Sequence, residues 1–102
     1  MGTLTYNSAL SAVFDDRTLT HLQVVIWSKL RRGEHFAFTW VDESAPAKRT
    51  SVWCSATIPM TFEFDDAEPG QLNPRWLDVL TKSANSAGGL RPVPEPEPEA
   101  NA

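Results

Sequence analysis

Two short runs of strictly alternating residues constrain this chain more than any other feature. His35-Phe36-Ala37-Phe38-Thr39-Trp40-Val41 puts Phe36, Phe38 and Trp40 on one side of an extended backbone, and Met60-Thr61-Phe62-Glu63-Phe64-Asp65 does the same with Met60, Phe62 and Phe64. Successive side chains of a strand point to opposite faces, so each run is a ribbon with an aromatic side and a polar side. Ribbons of this kind build an antiparallel sheet covered on a single face.

The residues before and between these runs supply the remaining elements. Gly2 to Tyr6 and Leu10 to Phe14 also alternate, and Asn7-Ser8-Ala9 between them suits a hairpin turn. Asp15 and Asp16 offer a cap and first-turn negative charge for a helix running to Arg32, where Gly33 can take the left-handed stop conformation. Leu19, Leu22, Ile26 and Leu30 recur along it at helical spacing. Thr50 to Ser55 reads as a strand, preceded by a solvated turn over 42–47. Asn73-Pro74 then carries the signature of a capped second helix, with Leu77, Leu80 and Ala84 on one stripe, Trp76 at its flank and Gly88-Gly89 at its end.

The expected fold is therefore α+β: an antiparallel sheet of about five strands, in the order ββαβββα, with two helices on one face. Leu90 to Val93 can add a short last strand. One domain over residues 1–93 accounts for the core, and residues 94–102, with their Pro-Glu repeat, read as an extended, disordered tail.

Charge and composition exclude several function classes. Of the 102 residues, 41% are apolar and 22% charged, which are globular values. The net charge is −4, but Glu95, Glu97 and Glu99 lie in the tail, so the body is close to neutral. Neither a strongly basic nucleic-acid binder nor an acidic DNA mimic is indicated. The longest apolar run, Val24-Val25-Ile26-Trp27, is far too short to cross a membrane, and the first residues carry no secretory pattern. The single cysteine, Cys54, cannot form an internal disulfide and fits a reducing cytoplasm.

The chemistry-bearing residues are sparse. Glycines stand only at Gly2, Gly33, Gly70, Gly88 and Gly89, which rules out a P-loop or a dinucleotide fingerprint. His21, His35 and Cys54 fall on different elements, so no metal centre, catalytic set or cofactor site is expected. Cys54 reads as a small buried hydrophobe and His21 as an exposed helical residue opposite the leucine stripe. The acids Glu63, Asp65, Asp66 and Glu68 lack the spacing of a calcium loop and read as a solvated turn.

Two surfaces remain as candidates. Val24 and Trp27 stand outside the Leu/Ile stripe of the first helix, and Trp53 adds a further aromatic group, which suggests contact with a protein partner or a second copy of the chain. Arg31, Arg32, Lys48 and Arg49 are candidates for weak phosphate or nucleic-acid binding, with Trp53 as a stacking surface. Cations in the last turn of a helix also complement its dipole, so Lys29, Arg31 and Arg32 have a structural explanation as well.

The stretch Phe14-Asp15-Asp16-Arg17-Thr18-Leu19-Thr20-His21-Leu22-Gln23-Val24-Val25-Ile26, with Arg49-Thr50-Ser51-Val52-Trp53 and Asn85-Ser86-Ala87-Gly88-Gly89-Leu90, resembles a family of short uncharacterised actinobacterial proteins. The resemblance implies a domain of unknown function without established catalytic residues, although some members carry the name ATP-dependent DNA ligase. Such ligases use the lysine of a Lys-x-Asp-Gly motif, and Lys29, Lys48 and Lys82 all lack that context. The residues therefore point to a small non-enzymatic module acting through contacts.

Overall fold

The computed structural model describes residues 1–42 and 46–98. The elements are β1 (Gly2–Tyr6), β2 (Leu10–Phe14), α1 (Asp16–Arg31), β3 (Phe36–Asp42), β4 (Lys48–Cys54), β5 (Met60–Phe64) and α2 (Pro74–Ala84). This is the expected α+β class and the expected order. Residues 43–45 of the turn read before β4, and residues 99–102 of the tail, lie outside the described residues.

Local signals act where the sequence places them. The Asp15 carboxylate accepts from the Thr18 N–H at 3.0 Å and caps α1. Gly33, with φ of 74°, ends the helix region. The Asn73 side chain accepts from Arg75 N and Trp76 N, and Pro74 opens α2 without losing a needed donor.

The strands divide into two antiparallel sheets instead of forming one. The first has the order β2-β1-β5, and the second pairs β3 with β4. The reason lies at the free side of β3. Leu90 forms a parallel bridge with Phe38 there, its N–H donating to Ala37 O at 2.8 Å and its carbonyl accepting from Thr39 N at 2.9 Å. That side of β3 is thereby taken, and the last strand read over residues 90–93 is reduced to this one bridge. Gly89 makes the approach possible. Its φ is +81°, and an added Cβ would stand 2.6 Å from Ala37 O.

The core fills the space between the sheets and helices. Leu4, Leu19, Leu22, Ile26, Phe36, Phe38, Trp40, Trp76, Leu80 and Leu90 are buried, with Phe14, Met60, Phe62 and Phe64 half-buried around them. Phe38 links the sheets through Phe14 of β2, ring centroids 6.3 Å apart. Helix α1 covers β1 and β5, while α2 packs on α1 and reaches β3.

Because α1 is contacted on several sides, its polar residues are not all in water. His21 is fully buried, contrary to the exposed position predicted for it, because α2 lies on that side of the helix. Its ring stacks on Trp76 at 4.4 Å between centroids. Lys29 is buried too, with its ammonium 2.6 Å from the Glu34 carboxylate and hydrogen-bonded to the Asn85 side chain.

Candidate functional site

The exposed strip of α1 follows from the helix geometry. Taking the direction of Leu19, Ile26 and Leu30 as facing the first sheet, Trp27 lies about 80° around the axis, with Val24 and Arg31 farther round on the same side. The structure carries this arrangement through. Leu19, Ile26 and Leu30 are buried or half-buried against the core, whereas Trp27 is 50% exposed. The ring of Trp27 meets that of Phe62 edge-on, at 5.9 Å between centroids and 86° between planes. Phe62 is on β5, which ends the sheet among the described residues, so Trp27 packs at the sheet's margin.

The two ends of this strip carry opposite charge. At the β5–α2 connection, Asp66 and Glu68 line a depression of about 310 Å³ with Asp16, Thr20 and Gln23 of α1. The Asp16 carboxylate anchors this connection by accepting from the N–H groups of Asp65 and Asp66, at 3.3 and 2.8 Å. Those donors, the Asp66 N–H first, hold the Asp16 carboxyl below the usual range. Arg31 is exposed at the other end of α1.

Trp53 belongs to a different surface. It is 56% exposed on β4, its ring 6.4 Å from that of His35, and both line a depression of about 310 Å³ with Lys29, Asn85 and Ser86. Trp27 is not part of this lining, so the aromatic candidates Val24, Trp27 and Trp53 split into a pair and a single residue.

The basic candidates split as well. Arg31 ends α1 and Arg32 follows it, near the start of β3, and Arg32 pairs with Glu34 at 3.2 Å. Lys48 and Arg49 oppose Asp42 and Val41 at the other end of the β3–β4 ribbon. The ribbon is 7 residues long, which sets its two ends about 20 Å apart. Arg49 instead shares a surface cleft of about 540 Å³ with Arg91, Trp40, Val13 and Val41. Arg91 carries no spacing signal in the sequence that would join it to Arg49.

A polar cluster missed by sequence reasoning lies where α1, α2 and residues 94–98 meet. The guanidinium of Arg17 donates twice to Glu95, both at 2.7 Å, and to Gln71 O at 2.7 Å. Asn73 Nδ2 donates to Glu95 at 2.9 Å and to Pro96 O at 3.1 Å. Beneath them, His21 Nε2 accepts from the Asn73 N–H at 2.9 Å, while Nδ1 lies 2.8 Å from Arg17 O. A carbonyl can only accept, so the ring carries its proton on Nδ1. Arg17 first and Asn73 second pull the Glu95 carboxyl down to about 2. Every polar atom of this cluster is occupied by structural work. The described part of the Pro-Glu segment is attached to this cluster through Glu95.

The groups that could perform chemistry are dispersed. Cys54 is fully buried, and burial pushes its thiol up to about 12, far from a reactive thiolate. Among the described residues no group of His, Cys, Asp and Glu is placed to hold a metal ion. Among the described residues no helix is long and apolar enough to cross a membrane.

Comparison with known proteins adds a family and no activity. The chain belongs to the family described as Domain of unknown function (DUF7882), which matches residues 1–95. No curated protein and no solved structure matches it significantly.

Proposed function

We propose that this DUF7882 domain works without catalysis, as a module that binds another protein chain through the strip built on Val24, Trp27 and Phe62. The observation that supports the reading is Trp27 itself. A tryptophan half in water, seated edge-on on a half-buried phenylalanine of an edge strand, is the kind of anchor that contributes most at interfaces. The dispersal of histidines, thiol and carboxylates supports a non-enzymatic role. The buried, unpaired Cys54 supports residence in a reducing compartment such as the cytoplasm. The test is capture of partners by the immobilised full chain, compared with Trp27→Ala, together with light scattering for self-association. Retention of every contact by Trp27→Ala rejects this strip as the binding surface.

A second reading, weak nucleic-acid binding, is favoured by one observation: Arg49 and Arg91 flank the exposed cleft that includes Trp40. It predicts affinity for single-stranded oligonucleotides that falls steeply with salt and is lost in the Arg49→Ala, Arg91→Ala double variant.

A further inference from the structure

The strip on α1 has a polarity that selects its occupant. We infer that the partner is a second copy of this chain, joined through an antiparallel β5–β5 edge with the two α1 helices side by side above it. The inference rests on the protein-binding reading above and specifies it.

The argument begins with the strand. β5 ends its sheet, and its five residues are centred on Phe62. An edge strand offers N–H and C=O groups to any extended chain that can pair with it. A two-fold axis through Phe62, perpendicular to the sheet, would bring β5 of each copy together in antiparallel register. Met60 would then lie opposite Phe64, and Thr61 opposite Glu63. This register sets the only charge on β5, Glu63, against a threonine. Sliding the axis to Glu63 would set carboxylate against carboxylate, which opposes that alternative.

The layer above the sheet agrees. Trp27 packs on Phe62 of the edge strand and stays half-exposed, so the same axis would bring the two Trp27 rings and the two Val24 side chains together above the Phe62 pair. Both helices would lie on one face of a continuous six-stranded sheet. An interface of this kind is self-complementary, because each contact occurs twice.

Charge complementarity identifies the partner as a copy. The Phe64 end of β5 lies at the α1 N-terminus, since a Cβ on Gly2, the partner of Phe64, would meet Leu19 and Asp16. Asp66 and Glu68 stand at that end beside Thr20, with the Arg17 of the same depression paired to Glu95, and Arg31, in the last turn of α1, lies toward the Met60 end. Antiparallel pairing centred between Val24 and Trp27 would place Arg31 of each copy at the level of Thr20 of the other, against Asp66 and Glu68. An unrelated partner would need the same acidic-apolar-basic sequence in reverse. A second copy possesses it.

The test uses sedimentation of the full chain up to about 1 mM, where even a weak dimer is populated. Expected are a concentration-dependent dimer, at least about tenfold weaker in Arg31→Glu, and recovery when Glu68→Lys is added to Arg31→Glu, because two symmetric charge pairs are first inverted and then restored. Amide exchange of β5, but not β2, should slow as the dimer fills. Trp27→Glu, its fold checked by circular dichroism, should be monomeric. Persistence of the dimer in Trp27→Glu, protection on β2 instead of β5, or no recovery by the second reversal overturns the inference. If the chain is monomeric throughout yet binds another protein in a Trp27-dependent way, the inference fails and the module reading stands. If it is monomeric and binds nothing, both fail.

Discussion

Trp27 meets Phe62 edge-on across the boundary between α1 and β5, ring centroids 5.9 Å apart, and it is the contact that joins the exposed strip to the core. Trp76, in contrast, lies wholly inside, stacked on His21 and donating its indole N–H to Val93 O at 3.0 Å.

These two tryptophans should therefore separate surface from core. Trp27→Ala is expected to cost about 1 kcal/mol, the scale of one aromatic contact at a half-exposed site. Trp76→Ala should cost about 3–5 kcal/mol, because it also leaves a cavity. Urea denaturation of both variants measures the difference.

Glu95 predicts a pH dependence. Its carboxyl falls from the ordinary 4.5 to about 2 in the folded chain, so its contribution is present above 4.5 and is lost as pH falls through about 2. The stability gap between the wild type and Glu95→Gln should be flat at neutral pH and close on acidification across that window. Carboxyl chemical shifts of Glu95 followed by NMR give the folded titration directly.

His21→Leu should destabilise the domain by about 1–3 kcal/mol, since the buried N–H of Asn73 loses its acceptor without gaining water. The loss should appear at pH 7 in thermal or urea unfolding. His21→Asn, which retains an acceptor, should lose less.

Two backbone sites predict opposite signs. Gly89→Ala places a Cβ against Ala37 O at a left-handed φ and should cost about 2 kcal/mol or more. Ser8, with φ of 56° in the β1–β2 turn, carries the strain that a glycine would relieve. Ser8→Gly should accordingly raise stability by about 0.5 kcal/mol. Thermal midpoints of the two variants should move in opposite directions.

Cys54 should resist alkylation at pH 8, because its folded thiol titrates at about 12. Modification should proceed at the rate of global opening, and mild denaturant should accelerate it. Fast labelling under native conditions would contradict the burial described for β4.

Much of the fold was legible because its signals are local. Strand parity identified the inward faces of β3 and β5, and Asp15, Gly33 and Asn73-Pro74 marked helix ends through side chains and φ angles acting within a turn. The division into two sheets was not legible. It depends on Leu90 reaching β3 across the whole fold, and alternation cannot say which edge a strand will offer. His21 was misplaced for a related reason: a helical wheel with one buried stripe assumes one neighbour, and α1 has several. At the candidate site, Val24 and Trp27 stood out as apolar residues off that stripe. The part played by Phe62 follows from β5 being an edge strand, and that of Glu95 from Arg17 and Asn73 converging on it from distant points of the sequence, neither of which is a local signal.

The Leu90 bridge sets a timetable for synthesis. Leu90, the residue that closes over the strand of Phe38, is made long after it. As the polypeptide leaves the ribosome, the β3–β4 ribbon and both helices emerge while one side of β3 still lacks its cover. Completion of this domain must await the emergence of Leu90, so the elements before it form with that side of β3 uncovered.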